Sequence, residues 1–182
     1  MNYRRNFKKY LDDLGKRKPS PGGGSAVCIS VCLGLSLIEK SINYSLDKEG
    51  MLRIKDSKFS GKRYLMRAAS LRRKIYDYID LDGQIFDKVM KCKGKDREKA
   101  LKMSEKLIVD VAKACVKVFF LAKEIESGIK KSISSDFYIG LEFIKTALFG
   151  CVTNLDANTS IFGRSNKYID SFKKSLEKWQ RF

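Results

Sequence analysis

The sequence contains no histidine among its 182 residues. That absence excludes His-ligated zinc and iron sites, Ser–His and Cys–His nucleophile pairs, and imidazole acid–base chemistry. An enzyme built from this chain must work with carboxylates, amides, lysine, tyrosine or cysteine. Proline is nearly missing, with two residues, and glycine stands at 13. So little punctuation favours helices over a turn-rich β fold. Acidic residues are outnumbered, 21 Asp and Glu against 38 Lys and Arg, which leaves a net charge of +17. Such a chain attracts a polyanion, whether nucleic acid, a membrane surface or an acidic small molecule. Charge does not choose among them. There is no CxxC pair. The five cysteines, Cys28, Cys32, Cys92, Cys115 and Cys151, are irregularly spaced. They read as reduced core residues of a cytoplasmic protein. No signal peptide is expected behind Met1-Asn2-Tyr3-Arg4-Arg5. The apolar run Ala26–Ile38 has 13 residues, short of the roughly 20 that span a bilayer. It reads as a buried core helix, and no membrane association is expected.

What is present is a globular composition, 43% hydrophobic and 32% charged, over a length that suits one domain, residues 1–182, with a sizeable core. Residues 2–14 are a short amphipathic helix candidate ending near Gly15. Residues 16–24 are a loop by composition, and Ser25 to about Ser45 is a very apolar helix that Ser25 could cap. Residues 46–60 are polar, with Gly50 and Gly61 as breakers. From about Lys62 to Lys91 the residues Ala68, Leu71, Ile75, Ile79, Asp82, Phe86 and Val89 form a stripe at helical steps. Gly94 ends it. A second long helix covers 96–131, with Ile108, Val111, Cys115, Val118, Ala122 and Ile125 on one face. Ser134 or Ser135 then looks like an N-cap for a helix from about Asp136 to Leu155 or a little beyond. Lys167–Phe182 closes the chain as an amphipathic helix. Strand-like alternation is nearly absent. The fold class is all-α, a multi-helix array.

Three places break their own pattern. Pro19-Ser20-Pro21-Gly22-Gly23-Gly24-Ser25 sets three consecutive glycines before the most apolar helix. Their amides can converge on an anion at its N-terminus, although no P-loop Lys-Ser/Thr follows. The plainer alternative is a flexible linker. Asp82 falls on an apolar stripe, where a carboxyl group is costly unless paired or used. Desolvation there would raise its pKa and suit it to general acid–base work, whereas a helix break at Asp80-Leu81-Asp82-Gly83 would leave it as a cap. The stripe Asp136, Gly140, Phe143, Ala147, Cys151, Asn154, Asn158 carries an acid at one end and two amides at the other. Asn154 and Asn158 lie one turn apart and can face one ligand, a heterocycle with paired donors and acceptors. As caps of a frayed turn they would face nothing.

Together these elements resemble a known family, the formiminotetrahydrofolate cyclodeaminase and methenyltetrahydrofolate cyclohydrolase family. Pro19-Ser20-Pro21-Gly22-Gly23-Gly24-Ser25-Ala26 is similar to its P-[ST]-P-G-G-G-S-[AG]. Leu71-Arg72 through Asp82-Gly83-Gln84-Ile85-Phe86 resembles L-R…D-x-D-A-x-A-F, with Gly83 where the family usually has alanine. Ser135-Asp136 with Asn154-Leu155-Asp156-Ala157-Asn158 resembles S-D…N-V-x-[IV]-N. Order and approximate spacing agree over about residues 5–165. The resemblance implies an all-α homodimer acting on a tetrahydrofolate derivative, with no metal and no cofactor. Two reactions are implied: 5-formiminotetrahydrofolate to 5,10-methenyltetrahydrofolate plus ammonia, and 5,10-methenyltetrahydrofolate plus water to 10-formyltetrahydrofolate. On this reading Asp82 is the acid/base, and Asp136, Asn154 and Asn158 position the pterin. Gly22, Gly23, Gly24 and Ser25 offer amides to a folate carboxylate or close over the substrate. Lys18, with Lys16 and Arg17, would attract the glutamate tail of the folate, single or polyglutamylated. A basic helical nucleic-acid-binding protein and a non-catalytic folate binder are the alternatives. The first rests on Arg72-Arg73-Lys74, Lys91-Cys92-Lys93, Lys130-Lys131 and Lys173-Lys174, in a sequence with no nucleic-acid motif, so nucleic acid is the less expected partner.

Overall fold

The computed structural model describes residues 7–55, 57–163 and 166–179. Residues 2–6 and 180–182 of the two terminal helix candidates lie outside them. Among the described residues the fold is all-α. Six helices run in chain order as α1 (Phe7–Leu14), α2 (Gly23–Ser45), α3 (Gly61–Lys91), α4 (Gly94–Ile125), α5 (Ser134–Phe162) and α6 (Ile169–Trp179). One small hairpin, β1 (Met51–Ile54) and β2 (Ser57–Ser60), joins α2 to α3. The sequence pattern shows no strand there. Leu52 and Ile54 point inward while all of β2 is exposed, so only half of the hairpin carries a hydrophobic signal. The turn uses Lys55 at φ 54°.

Helix α2 is the axis of the molecule. It packs against α5 on one side and α3 on the other. Cys28, Val31, Leu35, Ile38 and Ile42 have no exposed surface. The apolar run Ala26–Ile38 therefore belongs to a helix of 23 residues, long and apolar enough to cross a bilayer by length and composition alone. Here its apolar sides meet other helices. Closest approach to α5 occurs at a glycine pair. A Cβ on Gly34 would sit 2.6 Å from the Gly140 carbonyl oxygen, and one on Gly140 2.9 Å from that of Gly34. Gly140 occupies its stripe position for this backbone contact. Helix α4 closes the layer with Ala112, Cys115, Val118, Ala122 and Ile125 buried, and α6 adds Phe172 and Trp179.

Several helix boundaries differ from the sequence expectation. Helix α2 begins at Gly23, and Ser25 does not cap it; the Ser25 hydroxyl donates to the Ile79 carbonyl on α3 at 2.9 Å. Neither Ser134 nor Ser135 caps α5. Ser134 is its first residue, and its hydroxyl donates to the Lys131 carbonyl. Helix α5 runs to Phe162, where Gly163 in the left-handed region (φ 63°) stops it. Asn154 and Asn158 thus stand two and one turns inside the helix and are not frayed caps. Helix α3 passes through Asp80–Gly83 without a break, which removes the capping reading of Asp82.

Each basic cluster spends at least one of its cations on an intramolecular partner. Arg72 forms a two-pronged pair with Glu39, at 2.7 and 3.0 Å. Lys74 meets Asp110, Lys130 donates to the carbonyls of Tyr44 and Leu46, and Lys173 pairs with Asp156.

Candidate active site

The glycine segment, the middle of α3, the first half of α4 and the C-terminal third of α5 converge on one cavity of about 250 Å³. Gly22, Gly23 and Gly24 form one wall, Asp82, Gly83 and Phe86 a second, Ser104 and Ile108 a third, and Asn154, Ala157 and Asn158 a fourth. Four segments far apart in sequence are brought to one place by the packing of α2 between α3 and α5, with α4 against both of these.

Asp82 is central. Its carboxylate rests against Gly24, where a methyl group would collide with it. The Ser25 backbone N–H donates to the carboxylate, which favours the ionised form, but burial outweighs that bond and pushes the Asp82 pKa up from its ordinary value. The Ser25 hydroxyl, tied to Ile79 one turn earlier on α3, fixes the start of α2 against the acid. Ser25 is fully buried beneath the cavity: it holds Asp82 and does not face the space. Below it lies the buried Cys28 thiol, pushed well up by burial and, secondarily, by the Asp82 charge. A thiol so suppressed is packing, not a nucleophile.

The amide pair faces the same space. A Cβ on Gly23 would be in ordinary contact with the Asn154 amide, 3.6 Å from Oδ1, so the loop's second glycine lies directly over Asn154. Asn158 follows one turn further along α5. Ser20 fills the notch that Gly83 leaves: a Cβ at 83 would collide with the Ser20 hydroxyl. The cavity therefore combines one carboxylate, two carboxamides, two serine hydroxyls, the Phe86 ring and the Ile108 side chain.

Besides Ser25, two residues singled out in the sequence do not line this cavity. Asp136 lies in the first turn of α5 and pairs with Lys40 of α2. Eighteen helical residues separate it from Asn154, about 27 Å along the axis. Lys18 donates to Asp13 at 2.8 Å, beside Lys16 at 3.1 Å from the same oxygen. Conversely, Ser104, which the sequence motifs do not mark, lines the cavity. It continues the α4 stripe one turn before Ile108, a polar residue at a core-facing step, and that signal was available. Phe86, on the apolar stripe of α3, is 37% exposed and lines the site. Among the described residues no group of His, Cys, Asp and Glu is arranged to hold a metal ion.

A family model described as formiminotransferase-cyclodeaminase matches residues 6–178. The chain belongs to the formiminotransferase-cyclodeaminase family. Among characterised relatives, a methenyltetrahydrofolate cyclohydrolase from Methylorubrum extorquens is 31% identical over 121 residues, 62% of this chain. The match spans 57% of that relative's length. Among solved structures, formiminotetrahydrofolate cyclodeaminase from Thermotoga maritima superposes with a TM-score of 0.78 at 21% identity, over 97% of this chain and 88% of the other. That likeness establishes the cyclodeaminase fold for this chain. The family places the chain among folate one-carbon proteins, and the cavity brings together Gly22–Gly24, Asp82 and the Asn154–Asn158 pair.

Proposed function

We propose that this family member is an enzyme acting on tetrahydrofolate one-carbon derivatives at the Asp82 cavity. It would close 5-formiminotetrahydrofolate to 5,10-methenyltetrahydrofolate with loss of ammonia, hydrolyse 5,10-methenyltetrahydrofolate to 10-formyltetrahydrofolate, or do both. The observation that carries this reading is the half-buried Asp82 carboxylate sharing a pterin-sized cavity with the Asn154–Asn158 pair. The amides offer the paired donors and acceptors that a pterin edge requires, and Phe86 offers it an aromatic face.

In the hydrolytic direction, water adds to the methenyl carbon while the Asp82 carboxylate takes its proton. Asp82 then returns that proton to N5 as the carbon–N5 bond breaks, and the hydroxyl proton of the tetrahedral carbon leaves to solvent as the formyl group forms on N10. In cyclodeamination, N10 attacks the protonated formimino carbon. Asp82 moves the N10 proton to the departing nitrogen, which leaves as ammonia. Both paths pass one proton between nitrogen or oxygen atoms around a single carbon, and one carboxyl group serves both. Its negative form also counters the amidinium charge. Ser25 acts through Asp82, and the glycine segment covers the substrate. The site calls for no metal or redox cofactor.

The test is spectroscopic. Purified protein is given 5,10-methenyltetrahydrofolate and, separately, the formimino compound, while the methenyl absorbance is followed. Acceleration of either over buffer supports the reading, and acceleration of neither overturns it. The same reading carries a cytoplasmic homodimer with it. The exposed Ile139 and Phe149 on α5 supply apolar surface for a second copy, and light scattering decides the state.

A further inference from the structure

Following the α4 stripe backwards from Ile108 gives Ser104, Leu101 and Arg97, at steps of 4, 3 and 4. On the facing helix, Asn154, Asn158 and Phe162 recur every fourth residue. Helices α4 and α5 run antiparallel along this seam. Ile108 and Ser104 share the cavity with Asn154 and Asn158. Leu101 and Glu105 meet Asn158 and Phe162, and the Arg97 guanidinium lies over the Phe162 ring at 6.0 Å from its centre. Arg97 is thus placed at the mouth of the seam, two helical turns from Ser104, about 10 Å.

Its charge is unspent. Acids on the neighbouring positions are engaged with other cations: Asp96 with Lys99, Glu98 with Lys102, and Asp156 with Lys173. Glu105, the nearest acid on the seam itself, accepts the Asn166 amide at 2.5 Å. Arg97 has no carboxylate partner among the described residues, is exposed, and lies over the Phe162 ring, which leaves its fork of N–H donors available to a bidentate acceptor. Of the three cations just before the glycine segment, Lys16, Arg17 and Lys18, two are bound to Asp13.

We propose that Arg97 is a carboxylate subsite that takes the glutamyl carboxylate of the substrate. The inference rests on the folate reading of the cavity. A pterin held by Asn154 and Asn158 beside Asp82 leaves the benzoyl ring and glutamate outside a cavity of this size. The α4–α5 seam itself is closed, with only about 10 Å³ between Leu101, Glu105, Asn158 and Phe162, so that part of the molecule would lie along its outer edge, where Arg97 sits over Phe162. An arginine–carboxylate fork is charge-assisted on both sides.

The experiment is a binding comparison that needs no turnover. Tetrahydropteroate, which lacks glutamate, and tetrahydropteroylglutamate are titrated calorimetrically into wild type, Arg97→Ala and Arg97→Lys. Wild type is expected to bind the glutamylated ligand about tenfold more tightly. Arg97→Ala should abolish that difference while binding tetrahydropteroate like wild type, and Arg97→Lys should keep part of it. Equal loss for both ligands in Arg97→Ala, or an undiminished glutamate preference, overturns the subsite and leaves the folate reading standing. Failure of wild type to bind either ligand overturns both.

Discussion

The Asp82 carboxylate lies directly against the backbone of Gly24, with no space between them for a methyl group. The third glycine of the segment is therefore required by the acid and not by the backbone, since Gly24 sits within a helix and has no left-handed torsion. Gly24→Ala should displace Asp82 or lift the start of α2. The expected result is a fall in kcat of about a hundredfold or more, because misplacing a reacting group by an ångström carries a penalty of that order. Circular dichroism should show the helical content intact. Near-normal turnover in Gly24→Ala would mean that the carboxylate does not need its present position.

Asp82 should also reveal its function through stability. Burial raises its pKa in the folded state, so the folded protein holds a proton on it more tightly than the unfolded chain does. Stability then falls as pH rises through the unfolded value and on to the folded one. At neutral pH the ionised carboxylate is a net cost. Asp82→Asn should accordingly abolish turnover yet melt about 2–4 °C higher at pH 7, the shift expected from roughly 1 kcal/mol in a chain of this length. The gain should vanish below the ordinary carboxylate pKa. In wild type, the acid limb of kcat/KM should lie above that ordinary value. A variant that melts lower at pH 7 would mark Asp82 as a structural residue.

Much of this was legible in the sequence because two different rules pointed to the same residues. Helical steps place Asp82 on an apolar stripe and Asn154 and Asn158 on one face, and each is too polar for the core that the step predicts. The helices themselves follow from periodicity, and α3 matches its expected span within a residue. Asp136 misled because a stripe records direction around a helix and not distance along it. It shares the angle of Asn154 but lies at the far end of α5, where Lys40 takes its charge. Lys18 misled for a related reason. Proximity in sequence to the glycine segment said nothing of Asp13, which lies five residues earlier and binds it. The hairpin was hidden because β2 buries nothing.

The two amides should separate by their distance from the acid. Asn154 lies beneath Gly23, and Asn158 lies one turn further toward the α4–α5 seam. Replacing either by Ala removes hydrogen bonds to the pterin and should weaken folate binding by about tenfold. Asn158→Asp keeps shape but exchanges two donors for two acceptors, and should bind worse than Asn158→Ala because it sets a second carboxylate near Asp82. Equilibrium titration with a stable folate such as the 5-formyl compound checks the order. Wild-type affinity in both alanine variants would exclude the pair from the site.

Asp13 sets the acid limit of the loop that leads into the site. Its carboxyl group is 1% exposed and is met by Lys18, Lys16 and Lys9. Hydrogen bonds from Lys18 and Lys16 hold its pKa far below the usual carboxylate range. A depressed folded pKa contributes stability above the unfolded value, and that contribution is lost as pH falls below it. Asp13→Asn should therefore unfold earlier than wild type at pH 7, and the two should converge as the pH drops below about 4. Urea melts at several pH values measure this, and a gap that persists undiminished at pH 3 would show that the group acts by packing alone.

The Gly34–Gly140 contact makes the strongest demand on the fold. Helices α2 and α5 meet there backbone to backbone, with each glycine's missing side chain replaced by the other's carbonyl oxygen. Adding a Cβ at 34 would also meet Ile144, at 2.8 Å. The isoleucine can turn, but the carbonyl cannot move without shifting α5. Gly34→Ala gains helix propensity of about 1 kcal/mol, yet separation of the two helices would loosen Leu35, Ile38 and Leu141, which are buried along the seam. Overpacking of this kind costs about 1–3 kcal/mol, so the steric loss should win and the variant should melt lower. Because α5 carries Asn154 and Asn158, the same displacement should also weaken folate binding in the fraction that stays folded. A variant as stable as wild type and unchanged in binding would mean that the two helices slide apart at no cost, and the position of the amide pair would then not depend on this crossing.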